Sequence, residues 1–483
     1  MTASRQPTTR PRGFGTLFIT DLWERFGFYG MQAILVLYAA APASEGGLGL
    51  PLTSAAALFG AYLGITFMMS LAGGWVGDRL LGARRAVLIG GIMVTAGYAG
   101  LATPGAVFTV LGLSGVSLGT ALLKPNLTSL LSMLYGRDSA GREAGISLFY
   151  VGIQISALTA PLVTGFLGET INWHLGFAAA AVAMLLAVIQ FTAGNRYLGD
   201  IGSRPGSVAT SKERRAAIRV ALVLLGLIAV MVLLGVFTGT ATAQAAIIVI
   251  GLSTLVVPIS CFAILRRQPG LGEDGSRRLG MFLWVLFGSS LFWLLVGQDG
   301  ALLNLFARDS TDRSLLGIAT VPASWLQSAT PLFILLLAPL FAYQWTRVGS
   351  RISLPVKFAT GLLFAGLSFV VIAVAAALAA DGDKVSPLWL ITVYFMHACG
   401  ELVVAAVGIS AAVDVVPQAF TGQIIGLWWL FSAMGAGLSS QVVHLSAVLP
   451  DWIYYLGLGL IVLAYGGVLL LRRRTISAGL RTA

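Results

Sequence analysis

Residues 16–40 read TLFITDLWERFGFYGMQAILVLYAA, the first of many long apolar stretches in the chain. A helix of about 20 residues crosses the ~30 Å hydrocarbon core of a bilayer. This stretch carries three charged residues, Asp21, Glu24 and Arg25. An ionisable side chain near the bilayer centre costs about 2.5–3.5 kcal/mol on insertion scales, so such residues usually line a cavity or an ion pathway. We therefore expect a membrane helix whose charged face points into protein.

Apolar stretches of similar length recur along all 483 residues, which are 57% hydrophobic and only 10% charged. Soluble domains carry about 25% charged residues, and the short alternating segments of an outer-membrane barrel are missing. The pattern predicts an all-α polytopic membrane protein. The fourteen predicted spans are 16–40, 54–77, 86–103, 106–134, 145–168, 172–194, 217–238, 242–265, 279–307, 323–345, 356–380, 387–413, 421–446 and 451–471.

The 30 Lys and Arg residues are divided unevenly between the predicted loops. If the N-terminus is cytoplasmic, the tails and inside loops hold all but five of them. Arg308, Arg313 and Lys384 then lie outside, and Arg25 and Lys124 lie within spans. The positive-inside rule therefore predicts that both termini are cytoplasmic. The loop arginines also explain the net charge of +11 without a nucleic-acid partner.

Two polar linkers divide the predicted spans into three groups. The stretch 195–216 follows six spans, and the basic linker 266–278 follows two more. The loops 74–85 and 345–351 fall at corresponding positions, and such internal symmetry is typical of transporters built from repeats. We therefore predict an N-terminal six-helix bundle at 1–194, a linker with two extra helices at 195–278 and a C-terminal six-helix bundle at 279–483.

Other ionisable residues also fall within the predicted spans. Lys124 is followed by Pro125, which we expect to kink its helix, and Glu401 lies in the opposite half of the chain. A lysine and a glutamate placed in this way can pair in one conformation and separate in another. Protonation of the glutamate would release the pair. We expect His397 to be a packing residue and Asp299 to be solvated near the outer end of its span.

Several stretches resemble one known family. Residues 21–30, DLWERFGFYG, resemble the first-span signature Glu-x-x-Glu-Arg-Phe-x-Tyr-Tyr-Gly of the proton-dependent oligopeptide transporters. Residues 74–85 resemble the loop motif of the major facilitator superfamily. The ordered set covers nearly the whole chain and resembles a divergent bacterial member with two extra central helices. The further matching stretches are LLKPN at 122–126, FYVGIQ at 149–154, FW at 292–293, the segment 327–331, GEL at 400–402 and GLWWL at 426–430.

The resemblance implies a fold and a transport mechanism. The fold would be the major facilitator fold, with two six-helix bundles plus two extra central helices around a central cavity. The mechanism would be proton-coupled import of short peptides by alternating access. By position, Asp21, Glu24, Arg25 and Glu401 would couple transport to protons. Lys124 and Glu401 would form the inner gate, and Glu401 would also receive the peptide amine.

The resemblance also implies a binding pocket and a cytoplasmic lock. The lock would be the loop motif, with Gly74, Asp78, Arg79, Gly82 and Arg84. The implied substrate-binding residues are Arg25, Tyr29, Gln32, Lys124, Gln154, Trp293, Thr330, Glu401, Trp428 and Ser432.

Five positions depart from the family's pattern in ways that bear on the substrate. Asp21 replaces a glutamate, and Gln154 and Thr330 replace asparagines. Gln32 stands where the family has an arginine, and Gly297 stands where it has a carboxylate. Because both charges are lost together, no uncompensated charge is left in the membrane. The departures predict altered recognition of a substrate carboxylate.

Alternative functions follow from the same residues. The losses at Gln32 and Gly297 are compatible with a diverged carrier or exporter of another small solute, such as a secondary metabolite. An enzyme is disfavoured, because His174, His397 and His444 are scattered and no nucleophile motif, metal-ligand spacing or phosphate loop is found. A channel would differ from a carrier in its unsaturable flux.

The expected partners are few. We expect no cofactor and no metal, with the proton as the coupling ion. The partners would be a small peptide-like substrate and the lipid bilayer. The protein would act as a monomer in the bacterial inner membrane, as a multi-pass protein.

Overall fold

The computed structural model describes residues 11–136, 139–206, 208–215, 218–219, 226, 240–315, 319–348, 351–417 and 420–480. These residues form helices and one antiparallel hairpin, β1 (Ser314–Leu315) with β2 (Ala319–Thr320). Each predicted span overlaps at least one helix except 217–238, which falls almost wholly outside the described residues. The helices are α1 (Phe14–Ala40), α2 (Leu52–Val76), α3 (Ala83–Leu101), α4 (Ala106–Tyr135), α5 (Ser139–Gly165), α6 (Trp173–Gly194), α7 (Thr240–Arg266), α8 (Gly272–Val296), α9 (Leu302–Asp309), α10 (Ala329–Val348), α11 (Leu354–Leu378), α12 (Leu388–Val415), α13 (Thr421–Val442), α14 (Asp451–Leu471) and α15 (Arg473–Leu480).

The helices have the length and apolar character of membrane spans. Within the described part of the chain, 10 helices are long and apolar enough to cross a bilayer. Small residues let neighbouring helices approach closely, as between α3 and α4. A Cβ atom added at Gly90 would lie 2.7 Å from the carbonyl oxygen of Gly119, and one at Gly97 would lie 2.8 Å from that of Gly112. Such close approach through small residues is a main source of helix association in lipid.

The predicted span 279–307 is wrong in its bounds, because the structure divides it into α8 and α9. Helix α8 ends at Val296, and Ala301 leaves the helical region with φ −111° and ψ −110°. Gly300 packs directly against the ring of Phe59, so a side chain at this position would overlap it. The backbone turns here and starts again as α9 at Leu302.

The chain forms two compact units whose boundaries fall within helices α1, α2 and α5. The first unit contains Met1–Met31, Met69–Ala160 and His174–Leu233, and the second contains Gln32–Met68, Pro161–Trp173 and Leu234–Ala483. The division into 1–194, 195–278 and 279–483 stays a prediction.

Side chains from the later part of the second unit contact the helices of its earlier part. They do so by donating hydrogen bonds to backbone carbonyl groups, which are strong acceptors that must be satisfied when buried. These bonds run from Asn304 Nδ2 to Ala33 O at 2.8 Å, from Trp325 Nε1 to Leu162 O at 2.9 Å and from Ser440 Oγ to Ala57 O at 2.8 Å.

Candidate functional site

Three buried charged side chains lie together on α1 in the first unit. Arg25 Nε lies 3.6 Å from Asp21 Oδ1, one helical turn earlier, and 3.3 Å from Glu24 Oε2. The Glu24 side chain is only 1% exposed. A single arginine neutralises one of the two carboxylates, so the second needs either another cation or a proton. The structure therefore brings together the three residues that the sequence singled out on this helix.

Lys124 of α4 supplies a second cation in the same unit. Its Nζ lies 4.1 Å from the centroid of the Phe28 ring, which is a cation–π contact. The lysine also interacts electrostatically with Asp21 and Glu24. Two carboxylates and two cations balance one another in this arrangement.

Two other predicted pocket residues belong to the first unit. Tyr29 is half-buried, with its ring 5.4 Å from that of Phe28 in an edge-to-face contact. Gln154 of α5 is buried, and only 5% of it is exposed.

The predicted loop motif continues α2 as a π-helical segment, Gly77–Leu81, in the first unit. The segment ends at Gly82, whose φ of +80° is a conformation that residues with a Cβ rarely adopt. Gly77 packs against the side chain of Asn126, and a Cβ on Gly74 would lie 3.4 Å from Pro125. Gly77 is therefore required by its close approach to α4, and Gly82 by the turn.

The charged residues of the loop motif reach the start of the polar linker. The backbone carbonyl of Arg79 accepts a hydrogen bond from Ala209 N at 3.0 Å. The guanidinium of Arg79 lies 4.0 Å from Glu213 Oε1. Arg84 donates to Asn195 Oδ1 at 2.7 Å and also to the carbonyl oxygen of Gly199. Asp78 is exposed. The motif thus fixes the linker to the end of α2.

Six of the predicted substrate-binding residues belong to the second unit. Three of them carry a buried polar atom that has no hydrogen-bond partner among the described residues: Gln32 Nε2, Trp293 Nε1 and Thr330 Oγ1. Buried polar groups are nearly always hydrogen-bonded in folded proteins, so such atoms call for a polar partner such as a ligand or water. Glu401 is partly buried on α12.

Trp428 and Ser432 are packed inside the second unit. Trp428 is 1% exposed, its ring is 6.0 Å from that of Phe358, and it lies against Gly408. Ser432 Oγ donates to the carbonyl of Trp428 at 3.2 Å. Lys124 belongs to the first unit and Glu401 to the second, so the inner-gate pair stays a prediction, as do the pocket assignments.

Asp299 and His397 form a close contact that the sequence interpretation missed. His397 Nδ1 lies 2.9 Å from Asp299 Oδ1, and the side chains are 0% and 17% exposed. Asp299 is thus mostly buried rather than solvated, and His397 packs on Phe369 while facing a carboxylate. The two residues lie on separate helical segments, so no spacing in the sequence signals the pair.

Glu169 is a second residue that sequence reasoning missed. Its carboxylate accepts hydrogen bonds from Ala323 N at 2.7 Å and from Ser324 N at 2.9 Å. It also lies 3.9 Å from Arg313 Nη1. The helical segment Ala323–Ser328 follows Pro322, a signal that could have predicted a helix start in need of a cap. The partner comes from a distant loop and has no local signal.

Comparisons with known sequences match this chain to peptide transporters. The profile of the POT family matches residues 84–453. The chain is 35% identical to an uncharacterized transporter, YclF, of Bacillus subtilis, covering 98% of this chain and 95% of that one. It is 34% identical to a di-/tripeptide transporter of Lactococcus lactis, covering 97% and 96% of the two chains.

Solved structures of peptide transporters have the same fold as this chain. A peptide transporter POT in complex with sulfate superposes with a TM-score of 0.91 at 36% identity, covering 99% of this chain and 97% of the other. A POT family transporter in complex with 5-aminolevulinic acid superposes with a TM-score of 0.90 at 29% identity, covering 97% of each chain. The fold is the major facilitator fold predicted from the sequence, and on these matches the chain belongs to the POT family of transporters.

Proposed function

We propose that this chain is a proton-coupled symporter that imports short peptides or peptide-like compounds by alternating access. The observation that carries the proposal is the buried ionic cluster of Asp21, Glu24 and Arg25 beside Lys124. Burying two carboxylates and two cations within membrane helices costs free energy, and such groups usually occur where they serve a function. Binding one proton there changes which cation is held, and this is the minimum needed to couple a proton to a conformational change.

The unpartnered polar atoms support a polar substrate. Gln32, Trp293 and Thr330 each keep a buried donor or acceptor without a partner among the described residues. A peptide offers alternating amide donors and acceptors that can satisfy such groups. Relatives named as a di-/tripeptide transporter and as a peptide transporter agree with this class of substrate. Glu401 would receive the peptide amine, because a carboxylate is the natural partner of an ammonium group.

The substrate carboxylate would be held in a different way from the amine. Gln32 and Gly297 carry no charge, so Arg25 and Lys124 of the first unit supply the cations that would attract it. A neutral amide at Gln32 can still donate a hydrogen bond to a carboxylate. We therefore expect modest affinity for the free C-terminus of a peptide.

The topology follows from the arginine-rich loops. We propose that the protein spans the bacterial inner membrane as a monomer, with both termini and the Asp78–Arg79 loop in the cytoplasm. The loop motif and Lys124–Glu401 would then close the cytoplasmic side. The contacts at Ala33, Ala57 and Leu162 would close the outer side.

The test is uptake of a labelled dipeptide into proteoliposomes that contain the purified protein. We expect uptake to rise with an inward proton gradient and to be lost in the Asp21→Asn, Glu24→Gln double variant. The matched control is Glu273→Gln, an exposed carboxylate in the first turn of α8. No uptake of any dipeptide in a broad panel, alongside transport of another solute, would contradict the peptide assignment.

A second candidate is a carrier or exporter of another small solute, such as a secondary metabolite. The uncharged residues Gln32 and Gly297 favour it, because they remove groups suited to a peptide carboxylate. This candidate would be supported if compounds that lack a free C-terminus raise the thermal unfolding midpoint of the purified protein and dipeptides do not.

A further inference from the structure

The contact between Asp299 and His397 lies away from the ionic cluster of α1. His397 is on α12, and Asp299 follows the end of α8, both in the second unit. The two groups approach within 2.9 Å at His397 Nδ1. The imidazole stacks on Phe369 of α11, with ring centroids 6.1 Å apart and an interplanar angle of 22°. This fixes the ring so that one edge faces the carboxylate.

A protonated imidazole would balance the charge of this contact. No Lys or Arg in the described part of the chain forms an ion pair with Asp299, so a protonated imidazole is the cation available to it. A mostly buried carboxylate without a counter-charge is strongly disfavoured. Asp299 Oδ1 and both ring nitrogens of His397 are buried and have no hydrogen-bond partner within the described residues, so the 2.9 Å contact at Nδ1 is an electrostatic approach. Nε2 is the ring nitrogen that could pass a proton on.

Glu401 adds a second carboxylate to the same group. It follows His397 by one turn of α12, so the two side chains lie on one face of the helix. Glu401 interacts electrostatically with both Asp299 and His397. Two carboxylates that share one imidazolium titrate together rather than separately. The proton held by the pair thus depends on the charge of Glu401.

Aromatic and polar side chains from several helices surround the group. Tyr394, one turn before His397, is fully buried and faces Asp299. Helix α11 contributes the Phe369 ring, and α14 contributes Tyr455, whose ring lies 5.9 Å from that of Phe369. From α13, Ser439 Oγ accepts a hydrogen bond from Gln298 Nε2 at 2.8 Å, beside Asp299. These contacts bury His397 fully and Asp299 mostly.

The position of Asp299 links its charge to helix contacts in the second unit. The next residue, Gly300, packs on Phe59 of α2. Asn304, one turn further on, donates to the carbonyl of Ala33 in α1 at 2.8 Å. Loss of the proton from the imidazole would leave the charged Asp299 without a counter-charge and favour its hydration, which would loosen the turn that carries both contacts.

We propose that Asp299 and His397 form a proton-binding site, distinct from the cluster on α1, that passes its proton to and from Glu401 as the helix contacts at Ala33 and Phe59 open and close. The proton is carried by the imidazole ring and leaves the carboxylate charged when it moves. The role in transport rests on the proposed function. The existence of the proton site does not.

The first experiment measures the proton directly. The chain has only three histidines, so a protein labelled with ¹⁵N-histidine gives few imidazole signals, and His397→Gln assigns the relevant pair. At pH 6 we expect His397 to be an imidazolium in the wild type. In Asp299→Asn we expect the protonated fraction to fall, because the counter-charge is gone. A neutral His397 at pH 6, or a protonated fraction that is the same in Asp299→Asn, would overturn the proposal.

The second experiment separates coupling from binding. Proton-driven uptake and substrate exchange across the membrane at equal pH are measured with the same labelled dipeptide. In His397→Gln and in Asp299→Asn, we expect driven uptake to fall at least fivefold while exchange stays within twofold. The matched control is His174→Gln, which removes a half-buried histidine in the first unit.

The outcomes keep the two proposals apart. Unchanged driven uptake in both variants, or an equal loss of driven uptake and exchange, contradicts a proton-coupling site and leaves a structural ion pair. If the wild type takes up no peptide at all, the proposed function fails, and the imidazole spectra still decide whether the pair binds a proton.

Discussion

Glu169 caps the helical segment Ala323–Ser328 at its first two residues. One of its carboxylate oxygens accepts hydrogen bonds from both the backbone N–H and the hydroxyl of Ser324, at 2.9 and 2.5 Å. The other oxygen accepts from Ala323 N at 2.7 Å. A carboxylate at a helix start satisfies N–H groups that have no partner within the helix and also meets the positive end of its dipole. The loop before α6 is thereby tied to the segment before α10 in the second unit.

Glu169→Gln should loosen this contact without unfolding the protein. A neutral amide still accepts one hydrogen bond but loses the charge, and hydrogen bonds to charged groups are worth about 1.5–3 kcal/mol against about 1 for neutral ones. We expect the amides of Ala323 and Ser324 to exchange with deuterium roughly tenfold faster, as followed by mass spectrometry of the covering peptide. Glu45→Gln, an exposed glutamate in another loop of the same unit, should leave that peptide unchanged. Equal exchange in the two variants would show that the cap contributes nothing.

Arg25→Ala should destabilise the first unit strongly. Removing one partner of a buried ion pair leaves an uncompensated charge, which typically costs about 3–5 kcal/mol. We expect a clear fall in the midpoint of thermal unfolding of the purified protein. Arg85→Ala, which removes an exposed arginine next to the loop motif, is the matched control and should change little.

The same cluster offers a rescue that tests the cause. If the loss in Arg25→Ala comes from stranded carboxylates, then adding Asp21→Asn and Glu24→Gln should restore most of the stability. If the triple variant is as unstable as Arg25→Ala, lost packing of the arginine stem is the cause instead.

The sequence was informative wherever the relevant residues lie close together along the chain. Asp21, Glu24 and Arg25 occupy adjacent turns, so their contact follows from helical spacing alone. The break after Val296 was missed because Gly297 and Gly300 look like packing glycines within an apolar run. What forces the turn is Phe59, a residue of another helix.

The candidate site was predicted less completely for the same physical reason. Asp299 faces His397, and Glu169 faces Ser324, across long stretches of sequence. Membrane helices are apolar almost all round, so hydrophobic periodicity does not show which faces meet. Only a resemblance could suggest partners, and the residues that depart from the family's pattern, such as Gln32, have no such guide.

Gly73→Ala should disrupt the packing of α2 on α4. A Cβ at Gly73 would overlap the carbonyl oxygen of Ala121, and a backbone atom cannot swing aside as a side chain can. Overpacking a core typically costs about 1–3 kcal/mol, and we expect the free energy of unfolding of the variant to fall by more than about 2 kcal/mol. The measurements are the midpoint of thermal unfolding, which should fall, and the yield of purified protein, which should be poor. Gly467→Ala in α14 is the control, since nothing lies within 4 Å of its added Cβ. There the better helix propensity of alanine should slightly raise stability. Equal behaviour of the two variants would refute close helix contact at Gly73.

Glu213 should make the start of the linker helix at 211–215 sensitive to acid. Thr210 N donates to Glu213 Oε2 at 2.8 Å, and Glu213 N donates to Thr210 Oγ1 at 3.3 Å, which is a capping box. These hydrogen bonds, first that from the backbone of Thr210 and then that from its hydroxyl, lower the pKa of Glu213 below its usual value. A lowered pKa means that the stabilisation is present above the ordinary value and is lost as the pH falls through the lowered one.

The measurement is hydrogen exchange of the peptide that covers Thr210 and Glu213, corrected for intrinsic rates, between pH 6 and pH 3. We expect protection at Thr210 N to fall across this range in the wild type. In Glu213→Gln it should be weak and independent of pH, because the amide does not titrate. Glu273→Gln, in the first turn of α8, should retain the wild-type profile. Since Arg79 approaches Glu213 at 4.0 Å, acid should also expose the end of α2, and a fall in protection at both places together would tie the loop motif to the linker.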